Sequence, residues 1–320
     1  MPLVESTYPK PKFLWNAHLE TIIPNIFRKV KNVFYQRERF FLKDNDFLDL
    51  DWLKNESKKL VIIAHGLEGN TKRGYIKGMA KFLHQKGLNV LAFNHRSCSE
   101  EMNLLPKFYH SGASDDLREL VNYVVEKEDF EEVFLVGFSL GGNVILKYLG
   151  EEKNYIHEKI KKAVVFSVPL HLSSCSEALR KSKNWIYAYK FKKSLFAKIR
   201  KKSRLMPQYI DKKHIAKVKN LKDFDDFYTA PLHNFKDAED YYEKSSAIYF
   251  LHQIKIPTLI VNALNDPFLG HACFPFKLVQ TLQNVYLETP QYGGHCGFSA
   301  QKDENGFYWS EHRCWEFLSY

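Results

Sequence analysis

The stretch VFLVGFSLGGNV, residues 133–144, decides how the rest of the chain is read. Its first half is an unbroken apolar run of strand length, which suits a strand buried on both faces. The run ends in Gly137, Gly141 and Gly142 with one serine, Ser139, among them, and NVILKYLG (143–150) follows as an apolar helix. In G-x-S-x-G the strand turns so tightly into the helix that side chains on the flanking positions would clash, and the turn lifts the serine hydroxyl to the rim of the sheet. The helix beginning at Leu140 aims free N–H groups at that place, which favours developing negative charge. A glycine-rich turn with an idle serine would look the same in isolation. The buried strand before it and the apolar helix after it favour a nucleophile.

Working outward, LVIIA (60–64), NVLAF (89–93), AVVFS (163–167), TLIVNA (258–263) and VYLE (285–288) are further short, β-branched or aromatic runs. Between the early ones lie helix-like stretches. In SDDLRELVNYVVEKED, acids open the first turn and Leu117, Leu120, Val121, Val124 and Val125 repeat on one face. Continuous apolar strands joined by helical crossovers predict an α/β fold with a mostly parallel central sheet covered on both sides. Residues 33–53 alternate and break at KDND, as an antiparallel hairpin leading in. The rhythm then fails from Pro169 to Ile256, a segment rich in Lys, Tyr and Phe that reads as helical and is too long for a loop. The expected organisation is therefore a core from 1–168, with its lead-in and hairpin in 1–55, an inserted helical cap at 169–256 after the sixth strand, and the rest of the core at 257–320.

Composition narrows the class. The chain has 320 residues, 45% of them hydrophobic, which is enough for a sizeable core and excludes disorder. No apolar run reaches the roughly 20 residues that span a bilayer, and no signal peptide opens the chain. Five scattered cysteines, none spaced C-x-x-C, argue against a disulfide framework or structural zinc and for a reducing, cytoplasmic setting. The net charge of +10 is local. Arg180 to Lys222 holds 16 basic residues and one acid, Asp211, which leaves 31 basic against 36 acidic elsewhere.

A serine hydroxyl needs a base, and the base needs an orienting acid. Asp266, in NALNDPFL, falls just past one strand, and His295, in QYGGHCGF, just past the next, with Gly293, Gly294 and Gly297 free to swing the imidazole inward. Ser139, Asp266 and His295 thus all sit at predicted strand ends, in the chain order of the hydrolase triad. An oxyanion needs two donors: the backbone N–H of Leu140 and that of Leu67, in HGLEGN (65–70), with His65 and Gly66 shaping the loop. An apolar acyl pocket is expected beneath the cap, lined in part by Phe138 and Leu140.

These pieces resemble the α/β-hydrolase superfamily, and within it the YheT-like branch of bacterial hydrolases and related eukaryotic abhydrolase-domain lipases and esterases. The resemblance rests on NAHLETIIP (16–24), HGLEGN (65–70), NHRSCSE (94–100), YHSGASDD (109–116), GFSLGGN (137–143), FDDFYTAPLHNF (224–235), NDPF (265–268) and GGHCGF (293–298), in that order. It implies Ser139 as nucleophile, Asp266 as acid and His295 as base. It also implies cleavage of short-chain esters or monoacylglycerol-like lipids, with no cofactor and no metal. Ser97, Glu100 and Asn234 stand where that pattern usually has glycine. His110 and Asp115 have the H-x-x-x-x-D spacing of some acyltransferases, although Asp115 also suits the start of a helix and His110 a connecting loop.

An acyltransferase, a thioesterase or a non-catalytic lipid-binding protein on the same fold are the competing functions. The basic, aromatic segment 180–222 reads either as a solvated cap helix covering the site or as an interfacial helix docking on anionic membrane, peripheral to its inner face. Nucleic acid is not an expected partner, because no binding fold accompanies the charge.

Overall fold

In the computed structural model, which describes residues 2–151 and 156–320, strands alternate with helices in the order the apolar runs suggest. The strands are β1 (Leu3–Val4), β2 (Gln36–Phe41), β3 (Phe47–Leu53), β4 (Lys59–Ala64), β5 (Asn89–Asn94), β6 (Glu132–Phe138), β7 (Ile160–Phe166), β8 (Thr258–Val261) and β9 (Val285–Glu288). They form one sheet in the order β1-β9-β8-β7-β6-β4-β5-β3-β2. Only the β2–β3 hairpin and the β3–β5 pair are antiparallel; the remaining pairs are parallel. This is the α/β-hydrolase architecture. β1 has no counterpart in the sequence reading. Two residues are too few to show a pattern, and their partners Leu287 and Glu288 lie at the other end of the chain.

Strand periodicity sorts the core into two layers. On β4 and β6, Leu60, Ile62, Val133 and Leu135 face one side, where α3 (Ser114–Lys127) and α4 (Leu140–Glu151) cover them. Val61, Ile63, Phe134, Val136 and Phe138 face the other side, under α2 (Gly74–Gln85) and the C-terminal helix Trp309–Ser319. Phe138 therefore does not line the acyl pocket. It stacks on Phe166 with centroids 5.3 Å apart and meets Tyr75 at 5.0 Å, on the sheet face away from the cavity.

β7 and β8 are joined by helices, with no strand among the described residues. This connection contains α5 (Leu172–Arg180), the 21-residue α6 (Trp185–Leu205), several short turns and the helix Ala238–Ser245. Counting β1, it follows the seventh strand. Its last turns rejoin the main core, where Ala247, Leu251 and Ile254 pack. Near the N-terminus, α1 (Ala17–Phe27) is capped by Asn16, whose side chain accepts from the Leu19 N–H at 2.9 Å.

Ser97, Glu100 and Asn234 keep the left-handed backbone that glycine would supply, with φ of +61°, +78° and +61°. For a side chain that geometry costs about 1 kcal/mol. At Ser97 the Oγ offsets it by accepting the Asn103 N–H at 3.2 Å.

Candidate active site

The turn after β6 is held by its neighbours. Ser139 has φ of +53°, and its N–H donates to the Phe166 carbonyl at 2.8 Å, which fixes the turn to β7. A Cβ on Gly137 would lie 2.7 Å from the Gly142 backbone, and one on Gly141 would lie 2.6 Å from the Ala64 carbonyl oxygen. The two glycines are thus required by close backbone approach, and the strained serine between them points its hydroxyl out of the sheet.

The three candidate triad side chains meet there. His295 Nε2 lies 2.9 Å from Ser139 Oγ, and His295 Nδ1 lies 2.8 Å and 3.1 Å from the two Asp266 carboxylate oxygens. Asp266 and His295 are both buried. Burial opposes a charged imidazole, but the Asp266 carboxylate outweighs it, and the pKa of His295 is raised above the ordinary value. An imidazole that accepts a proton from Ser139 is therefore stabilised as it becomes cationic.

Residues not singled out from sequence hold this arrangement. The Phe268 ring stacks on the imidazole at 4.0 Å, while its N–H donates to Asp266 Oδ1 at 2.9 Å. Glu20 of α1 is buried and braces both loops: its carboxylate accepts from Gly293 N–H at 2.5 Å and from Asn265 Nδ2 at 2.8 Å. Thr21 Oγ1 accepts the His295 N–H at 2.9 Å. Burial raises the Glu20 pKa, against these hydrogen bonds. The signal for Glu20 and Thr21 was the NAHLETIIP stretch, which gives no hint of its partners some 270 residues away.

Leu67 and Leu140 both line the space next to Ser139, and neither N–H has a hydrogen-bond partner among the described residues. Gly66 brings the loop close, since a Cβ there would lie 3.0 Å from Ser139 Cβ. His65 does not reach a substrate. It is wholly buried, its Nδ1 donates to the Gly66 carbonyl at 2.8 Å, and its Nε2 accepts the His95 N–H at 3.1 Å. Burial, then His95, pushes its pKa well down, so it is a neutral prop beneath the loop. Glu68 follows with φ of +54°. Its N–H donates to Tyr109 Oη at 2.7 Å, and its carboxylate takes Lys198 Nζ at 2.7 Å and the Ser194 hydroxyl, both from α6.

Two cavities open on Ser139 and His295. One lies under the β7–β8 connection among Leu140, Cys175, Phe191, Leu195 and Ile199. The other lies between α1 and α6 and includes Ile22, Ile26, Arg73, Ile186 and Lys190. His110 lies half-buried on the first cavity with its ring 4.4 Å from His233, and desolvation drives it neutral. Asp115 is exposed and paired with Arg118. The H-x-x-x-x-D residues are not brought together. Among the described residues no cluster of His, Cys, Asp or Glu is disposed to hold a metal ion.

A strained serine on a strand–helix turn, relayed to histidine and aspartate at the ends of parallel strands, defines a hydrolase-type site. Comparison places the chain within one family. Residues 59–299 match the family model for the alpha/beta hydrolase fold, and the chain belongs to that family. It is 31% identical over 95% of its length, and 90% of the other, to YheT of Escherichia coli, which carries an esterase designation. It is 28% identical to the phospholipase ABHD3 of Bos taurus, over 93% of this chain and 74% of that one. The solved Pyrococcus furiosus esterase Pf2001 superposes with a TM-score of 0.60 at 19% identity, covering 91% of this chain and 95% of that one. The chain is an esterase- and lipase-type member of the family.

Proposed function

We propose that this chain cleaves short-chain carboxylic esters or monoacylglycerol-like lipids through Ser139, His295 and Asp266, by way of an acyl-enzyme. His295 Nε2 takes the Ser139 proton as Oγ attacks the ester carbonyl, and Asp266 fixes the imidazole tautomer. The Leu67 and Leu140 N–H groups carry the oxyanion. As the tetrahedral intermediate collapses, the C–O bond to the alcohol breaks and His295 returns its proton to the leaving oxygen. Water, deprotonated by His295, then attacks the acyl carbonyl and frees the acid and Ser139.

The observation that carries this reading is the continuous relay, 2.9 Å and 2.8 Å long, at the junction of two cavities. The cavity under the helical insertion is walled mainly by apolar side chains and suits the acyl chain, so the insertion acts as the cap. The cavity between α1 and α6 suits the alcohol. A lipid ester is supported by the phospholipase among the relatives. No helix among the described residues is long and apolar enough to cross a membrane; cytoplasmic placement with peripheral contact to an anionic membrane completes the proposal.

A series of p-nitrophenyl esters of increasing chain length, run on the wild type and Ser139→Ala, tests it together with fluorophosphonate labelling. Turnover and labelling that both vanish in Ser139→Ala support the esterase. Folded wild-type protein that neither turns over nor labels would make this a binding protein.

A further inference from the structure

Helix α6 is basic from Lys190 onward, but its cations face different ways. Lys198 turns inward onto Glu68, and Lys202 is wholly buried, its Nζ donating to the Asn103 carbonyl at 2.9 Å and side-chain oxygen at 2.7 Å. Burial pulls the Lys202 pKa down to about 8. Phe191, Leu195 and Ile199 face the acyl-side cavity. An apolar stripe already used to wall a cavity cannot also insert into lipid. The later turns of α6 are therefore not an interfacial helix.

The first two turns differ. Trp185 is 65% exposed, Ile186 46% and Tyr189 61%, and beside them at the end of α1 Ile26 is 58% and Phe27 69% exposed. Tyr187 joins the two helices, its Oη 3.0 Å from His18 Nδ1 and the two rings stacked. Single exposed apolar residues are ordinary; a contiguous patch marks an interaction surface. This patch runs directly into the alcohol-side cavity, because Ile26 and Ile186 belong to both.

Its surroundings are positive. Arg73 and Lys190 line the same cavity, and neither forms an ion pair with a described acid. Lys190 is held down by burial and by the nearby Arg73 charge. Glu68 is the one acid on that wall among the described residues, and Lys198 already pairs with it. Lys29 after α1, and Lys181 and Lys183 before α6, are exposed and also without an ion pair among the described residues.

We propose that this rim, formed by the end of α1 and the first two turns of α6, seats the protein on an anionic bilayer with the mouth of the alcohol-side cavity against the lipid. Apolar side chains enter the headgroup boundary, the ring of lysines meets acidic headgroups, and a lipid ester passes to Ser139 without crossing bulk water. The proposal rests on the ester-hydrolase reading for what passes through the cavity, not for the docking itself.

Flotation with phosphatidylcholine vesicles, with and without one quarter phosphatidylglycerol, tests it. The wild type and Ser139→Ala should both float with the acidic vesicles at low salt and be released as salt rises. Phe27→Asp and Tyr189→Asp should each cut vesicle partitioning at least about tenfold, and Lys183→Gln about fivefold. All three should hydrolyse soluble p-nitrophenyl butyrate within about twofold of wild type, as surface changes away from the site. Trp185→Ala, a milder truncation, should weaken flotation in the same direction. Absence of wild-type flotation at low salt overturns the proposal, as does undiminished flotation of Phe27→Asp and Tyr189→Asp. Sedimentation that shows a dimer broken by these variants assigns the rim to a second copy and also overturns it. A wild type that floats but hydrolyses no ester keeps the docking face and removes the esterase.

Discussion

The two cavities that share Ser139 differ in how they treat charge. In the one under the β7–β8 connection, burial drives His110 neutral, lowers His233 to about 4 and pushes the Asp225 carboxyl up to about 6. In the one between α1 and α6, Arg73 and Lys190 stand without carboxylate partners among the described residues. Burial disfavours charge on both sides, since it lowers the Lys190 pKa too. Lys198 on the first cavity is paired with Glu68, however, whereas the second keeps two cations paired with no carboxylate among the described residues. On the proposed reading, the single hydroxyl would serve an acyl group on one side and an alcohol on the other, with their surroundings kept apart.

The largest effect should be on the atom both cavities share. Ser139→Ala should reduce turnover by about 10⁶-fold in steady-state assays, with ligand binding retained in both cavities. Next, Asp266→Asn should lower kcat by about 10⁴-fold. Because the carboxylate raises the His295 pKa, the wild-type pH profile should rise through a base above the usual histidine value of about 6.5. Rate is lost below that pKa, where the imidazole is already protonated, and Asp266→Asn should move this limb towards acid. A limb at or below the ordinary value in wild type contradicts the charge assignment.

Leu195→Trp separates the two sides. Filling the acyl-side cavity should lower kcat/KM for long-chain esters about 100-fold relative to acetate, at the scale of a few methylenes. Equal losses on all chain lengths would mean that the acyl group lies elsewhere. The smallest effect should come from Glu68→Gln, which loosens α6 from the loop carrying Leu67. We expect kcat to fall about tenfold with KM nearly unchanged, the scale of one charge-assisted hydrogen bond, and Lys198→Arg to keep most of the rate. A change confined to KM would show that Glu68 acts on substrate binding and not on the oxyanion loop.

Much of the fold was legible because parallel strands buried on both faces leave uninterrupted apolar runs, and Ser139, Asp266 and His295 each follow one. Phe138 was misread although alternation along β6 settles it: Phe134, Val136 and Phe138 share a face opposite to Val133 and Leu135. A His-Gly pair likewise says nothing about which way the His65 ring turns. The stacking of Phe268 on His295, and the inward turn of Lys198 and Lys202, depend on contacts between distant segments that no local spacing encodes. In the basic segment the sequence reports the charge but not its direction.

Glu20 couples α1 to the loops that carry Asp266 and His295. A polypeptide emerging from the ribosome exposes this carboxylate some 270 residues before Gly293, the backbone group it must grip, is synthesised. Until then the loop that carries His295 does not exist, and Ser139 has no imidazole beside it. On the proposed reading, the site is complete only once the chain has been made as far as His295. Contacts of such long separation also slow folding, so maturation of this site should trail formation of the central sheet.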